Sequence, residues 1–189
     1  MGLLTKWFAL GVGIFALLAS PKGVASESID VAVASNFMNP AREIVEAFEK
    51  KFEKKYYSIN LSFGSSGKLF SQIKNGAPYQ VFLSADQDKP KKLEESGLSV
   101  RGFRFTYAFG TLILWSAKEG FVDSEGEILR VGDFRKIAIA NSQLAPYGRA
   151  ALEVIRRLNI EDKLQPKLVQ GENISQAFQF VSSKNAELG

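Results

Sequence analysis

The stretch FGSSGKLF, residues 63–70, closes an alternating apolar run of Tyr57, Ile59, Leu61 and Phe63 and opens a segment with Leu69, Phe70 and Ile73 at helical spacing. A strand that turns through glycine and serine straight into a helix is the building unit of a parallel α/β sheet. It is also where nucleotide-binding proteins keep a phosphate cradle. A P-loop needs a glycine five residues before the glycine that precedes the lysine, and Ser or Thr after the lysine to hold magnesium. Here those positions are Ser62 and Leu69. Both fail the test, so a phosphate-loop nucleotide-binding enzyme is kept only as an alternative reading. What survives is more general: hydroxyls and free N–H groups at a helix N-terminus bind anions without a P-loop.

The same unit extends in both directions. Upstream, Ile29 to Ala34 reads as a strand, and Asn39-Pro40 supplies an N-cap and first-turn proline for a helix burying Ala41, Ile44, Val45, Phe48 and Phe52. Downstream, Tyr79 to Leu83 is a third strand, and Asp86 or Asp88 caps a helix that carries Leu93 and ends at Gly97. This is βαβαβα, a parallel sheet covered by helices. A second block starts near Phe103, where Phe105 to Trp115 reads as a long strand with Gly110 as a hinge in its middle. Ile137 to Ala140 is a buried strand, and a helix from Pro146 buries Ala151, Val154, Ile155 and Leu158. Leu168-Val169 is a short strand, and Glu172-Asn173 opens a helix with Ile174, Ala177, Phe178 and Val181 on one face. The expected fold is α/β and two-lobed, with a first lobe over 27–108 and a second over 109–189.

Composition removes much chemistry. The 189 residues include no Cys and no His, so zinc, thiol-nucleophile and Ser-His-Asp sites lack their usual residues. The formal charge is +4, and Lys6 and Lys22 lie in the N-terminal leader. Subtracting those two leaves +2, too mild to argue for nucleic acid. The Lys50, Lys51, Lys54, Lys55 group is interleaved with Glu49 and Glu53 and reads as a solvated helix face. The leader, residues 1–26, has Lys6, an apolar run from Trp7 to Ala19, and an exit through Val24-Ala25-Ser26. That is the order of a cleavable secretory signal, and the apolar run is short for a membrane span. An exported chain without Cys carries neither disulfide nor lipid-modified cysteine, which places it free in a periplasm.

Four helix starts repeat the anion-binding device: Ala34-Ser35-Asn36, Ser65-Ser66, Ala145 to Gly148, and Glu172-Asn173-Ile174. Each alone is explained by ordinary capping. Two from each lobe point to a cleft, because ligands of open α/β sheets sit outside the carboxyl ends of the strands.

The segments VAVASNF (31–37), FGSSGKL (63–69), IKNGAPYQVFLSADQDKP (73–90), FTYAFGTLILWS (105–116), IAIANSQLAPYG (137–148) and KLVQGENISQAFQFV (167–181) resemble the periplasmic molybdate-binding proteins of ABC-type molybdate importers. The resemblance runs in order from about Ile29 to Gly189. It implies two α/β lobes closing on a tetrahedral oxyanion, molybdate or tungstate, delivered to a permease by a monomer that has no cofactor. Carried over by position, the ligand-binding residues are Ser35, Asn36, Ser66, Tyr147 and Ile174, the last through its backbone N–H. Molybdenum would enter only as the oxyanion, with no direct protein ligand. The family usually has Asp where Gln80 stands, Gly67 is typical of one branch, and the chain stops at Gly189 where the family continues, so it reads as truncated.

The presumed ligand set contains no acid, which suits a fully deprotonated oxyanion that only accepts hydrogen bonds. Phosphate retaining a proton wants an acceptor in return. Sulfate passes the same test as molybdate and stays an alternative ligand. An acid–base enzyme would need paired carboxylates, and the strand-end loops offer mainly Asp86, for which capping suffices. A sensory protein binding the same anion without feeding a transporter would share fold and site. Lys68 reads as solvated, adding only a salt-screened, long-range attraction. N-terminal sequencing of the exported chain should find a start near Ser26 or Glu27; a product beginning at Met1 and fractionating with membranes would make the leader an anchor.

Overall fold

The structure, a computed structural model, describes residues 27–52 and 57–189. The leader with its cleavage point lies outside the described residues, as do Glu53, Lys54 and Lys55. Among the described residues no helix is long and apolar enough to cross a membrane.

Strand β1 (Glu27–Ala34) is the centre of a three-stranded parallel sheet, flanked by β2 (Tyr57–Gly64) and β3 (Val81–Leu83). Val31 stands level with Leu61 on one side and Val81 on the other. Val31, Ala32, Val33 and Ala34 are all buried, as expected of a strand covered on both faces. Parallel neighbours cannot be joined by a hairpin, so helices α1 (Met38–Phe52) and α2 (Ser66–Lys74) make the crossovers. Helix α3 (Asp88–Glu95) follows and ends before Gly97, which takes the left-handed conformation at φ +73°.

The second sheet pairs β4 (Ile137–Ala140) with β5 (Leu168–Gly171), again parallel. Helices α5 (Pro146–Arg157), α6 (Glu161–Leu164) and α7 (Ile174–Ser182) accompany it. The chain end joins this half: Ala138 N–H donates to Leu188 at 2.8 Å, and Trp115 and Gly189 exchange two backbone bonds of 2.8 and 2.9 Å. Leu129, Phe134, Ile137, Ile155, Ile160, Leu164 and Leu188 form its core.

Several expectations are corrected. Asn39 is not an N-cap: a 3-10 turn over Ser35–Phe37 leads into α1, which starts at Met38 and puts Asn39 and Pro40 inside its first turn. Proline is tolerated there because first-turn N–H groups have no intrahelical partner. Of the five apolar residues assigned to the buried face of α1, only Ala41 is buried, while Ile44 is 56% exposed. A sheet three strands wide covers only part of that face, and Phe48 packs instead on Phe52 and Tyr57. Residues 105–115 are no strand, because the backbone finds a ladder partner only at Trp115. In α5 Val154 faces solvent, and in α7 Phe178 lies outside the core, stacked on Trp115 with ring centroids 4.9 Å apart.

Two short helices had no clear periodicity, α6 and α4 (Ile128–Val131). Asp123 fixes the start of α4 by accepting from the N–H groups of Glu125, Glu127 and Ile128. Those from Glu127 and Ile128 chiefly hold its carboxyl below the usual range.

The corrected core makes a clear contrast. Leu164→Ala removes a fully buried side chain and should cost about 2–5 kcal/mol, whereas Val154→Ala should cost below about 1 kcal/mol. Chemical denaturation of the two variants checks the order.

Candidate anion-binding site

The segments that follow strands β1, β2, β4 and β5 all line one small cavity between the two sheets. Its lining includes Ser35, Asn36, Ser66, Tyr147 and Ile174, so the structure brings together every residue singled out in the sequence. The cavity volume is about 10 Å³, close to that of one water-sized sphere. Ligand pockets for drug-sized molecules run to several hundred Å³, so this cavity by itself is far too small for a nucleotide.

Each helix start contributes in its own way. Ser65, the N-cap of α2, accepts from Lys68 N–H, while Ser66 Oγ accepts from the Ala85 N–H at 2.9 Å. That leaves the Ser66 hydroxyl proton free to donate. Asn173 caps α7 by accepting from Gln176 N–H at 3.1 Å. Ile174 then occupies the first turn, where an N–H has no intrahelical acceptor. Ser35 Oγ is buried and has no hydrogen-bond partner. A buried unpaired hydroxyl costs about 1–3 kcal/mol, and such a group in a native fold points to a ligand or water that pairs with it.

Glycines let these elements meet. A Cβ at Gly148 would lie 2.0 Å from the Ala140 carbonyl oxygen, so α5 can dock on the end of β4 only with glycine there. At Gly110 a Cβ would lie 2.1 Å from the Tyr147 hydroxyl. The glycine expected to bend the chain is thus also the one that makes room for a candidate ligand. Tyr107 donates to the Ser84 carbonyl at 2.9 Å, and burial, then the neighbouring Tyr147, pushes its pKa up, so it remains a neutral donor.

No carboxylate lines the cavity. Asp86 is committed elsewhere. The N-cap position of α3 is Gln87, neither Asp86 nor Asp88, but Asp86 from one residue earlier accepts from Lys89 N–H at 3.2 Å and so does the capping, and it pairs with the Lys89 ammonium and with Arg149 at 3.1 Å. The Ser84 hydroxyl also donates to it at 3.3 Å, and four donors on one carboxyl leave nothing for magnesium or for acid–base work. Among the described residues no cluster of His, Cys, Asp and Glu could hold a metal ion.

Sequence reasoning missed the bonds that join the two halves. Gly67 N–H donates to the Leu144 carbonyl at 2.8 Å, Ser175 Oγ to the Ser35 carbonyl at 3.3 Å, and Lys68 Nζ to Glu172 at 2.7 Å. Lys68 is half-exposed, but it is paired rather than simply solvated. Only the opposite charges of Lys68 and Glu172 could have hinted at this.

A family model described as bacterial extracellular solute-binding protein matches residues 29–189. The chain belongs to that family. It is 47% identical over 181 residues to the molybdate-binding protein ModA of Azotobacter vinelandii, covering 96% of this chain and 69% of the relative. With the molybdate-binding protein ModA of Rhodobacter capsulatus it shares 46% identity over 165 residues, covering 87% and 64%. The solved structure of the Azotobacter vinelandii periplasmic molybdate-binding protein superposes with a TM-score of 0.82 at 42% identity, over 85% of this chain and 69% of that one. This chain therefore spans about two thirds of the length of these relatives. The α/β architecture of parallel sheets flanked by helices is the one this family shares, and its members are binding proteins, not enzymes.

The tight approach at Gly67 yields a test. A Cβ there would lie 2.7 Å from the Leu144 carbonyl oxygen, so Gly67→Ala should cost about 1–3 kcal/mol in thermal or chemical denaturation.

Proposed function

We propose that the chain is an extracytoplasmic receptor that captures molybdate and delivers it to an ABC importer. The observation that carries this reading is the buried, unpartnered hydroxyl of Ser35 in a carboxylate-free cavity shared with the free hydroxyl proton of Ser66. A dianion that only accepts hydrogen bonds satisfies both and is repelled by nothing in the lining. The relatives' names, molybdate-binding protein ModA, add support.

In this reading Ser35, Asn36, Ser66 and Tyr147 donate from side chains and Ile174 from its backbone. Molybdenum enters as the oxyanion with no direct protein ligand. Tungstate has the same charge and shape and binds as well; sulfate is smaller and makes fewer simultaneous contacts. The leader is cleaved, the mature monomer works in the periplasm, and its partners are the oxyanion and a permease, with no role for nucleic acid. Residues 27–108 and 109–189 are the two lobes, and Gly110 is the hinge.

Calorimetry of the mature chain against molybdate, tungstate, sulfate and phosphate tests the reading, with tight binding expected for the first two alone. A charge-assisted hydrogen bond is worth about 1.5–3 kcal/mol, so Ser66→Ala should weaken molybdate binding by at least about tenfold. Tight ATP binding that depends on Lys68, with no response to molybdate or tungstate, would sink the receptor reading.

A further inference from the structure

Four bonds between the two halves ring the cavity, and each lies within three residues of a lining residue. They are Gly67 to Leu144, Ser175 to Ser35, Arg149 to Asp86 and Lys68 to Glu172. Three of them have further anchors. Gly67 and Leu144 meet through backbone, Ser175 reaches a carbonyl, and Asp86 already serves α3 and Lys89. Lys68 and Glu172 differ. They are the pair that links the first turn of α2, which carries Ser66, to the residue before the N-cap of α7, which carries Ile174.

We propose that Lys68 and Glu172 form a latch between the two helix N-termini, holding Ser66 and the Ile174 N–H at one spacing around the anion and so setting the rate of its release. The proposal rests on the oxyanion-receptor reading for its ligand. Both are positioning residues: neither lines the cavity, and each acts through a neighbour that does. At 2.7 Å the pair is well formed, but both side chains are about half-exposed. Exposed pairs are weak and screened by salt. The latch is therefore one that opens on the timescale of capture and release instead of locking the halves together.

A long-range field and a latch make opposite predictions for one substitution. If Lys68 acted only by attracting the dianion, Glu172→Lys would add a second cation and tighten binding. If the pair is a latch, Glu172→Lys sets two ammonium groups against each other and speeds release, as Lys68→Glu does with two carboxylates. The doubly swapped variant restores the pair and the charge balance.

The test uses stopped-flow release of molybdate from the mature chain and its three variants at low and physiological salt, with circular dichroism confirming folding. Each single swap should speed release by roughly two- to fivefold, and the double swap should return it to within about twofold of the parent. Slower release from Glu172→Lys, or a double variant no better than the worse single, overturns the latch. Hydrogen exchange at the Gly67 amide, measured without added oxyanion, provides a second readout, because that amide bonds across the same junction. Faster exchange in both single variants and recovery in the double supports the latch, and unchanged exchange in all three overturns it. If the parent chain ignores molybdate, the receptor reading fails, and the amide exchange still decides the latch.

Discussion

Hydrogen-bond donors at the first turn of a helix have no intrahelical acceptor, and the centre of this molecule is built from four such turns placed at strand ends. Water can serve them in the open. Once two sheets bring them to a cavity of about 10 Å³, little water can follow, and an unpaired buried donor is costly. The remaining requirements follow from that one shortage. The guest must be small, must only accept, and must carry enough charge to satisfy several donors at once. Carboxylates are kept out of the lining, and the two acids adjacent in sequence to lining residues are both paired, Asp86 with Lys89 and Arg149 and Glu172 with Lys68.

Bringing helix starts this close requires backbone to touch backbone. Gly148 lets α5 dock on the end of β4, Gly67 lets α2 reach the Leu144 carbonyl, and Gly110 leaves room for Tyr147. None of the three has a positive φ. They are glycine for lack of a side chain and not for a left-handed turn, unlike Gly97 at the end of α3.

Much of this was legible in the sequence. The strand–turn–helix grammar around FGSSGKLF placed β1, β2, β4 and β5 within a few residues of their observed ends, because each is a short apolar or alternating run closed by turn residues that lead into a helix. The five site residues converge because all follow strand ends of parallel sheets, where topology alone sends them to one side. The exposed stripe of α1, Val154 and Phe178 read as core because periodicity marks an apolar face without saying how much of it a neighbour covers. Residues 105–115 have strand composition, but a strand exists only by its partner, which composition does not encode. Lys68 with Glu172 and Gly67 with Leu144 were invisible for the same reason, each pair being far apart along the chain.

The stack of Trp115 on Phe178 has a practical side. The sequence contains two tryptophans, and the other, Trp7, lies outside the described residues. The described residues therefore carry a single indole. It packs on α7, four residues beyond Ile174, and its backbone is paired with Gly189. Its fluorescence is a built-in optical reporter of the helix that presents an amide to the cavity, with no second chromophore of its kind among those residues.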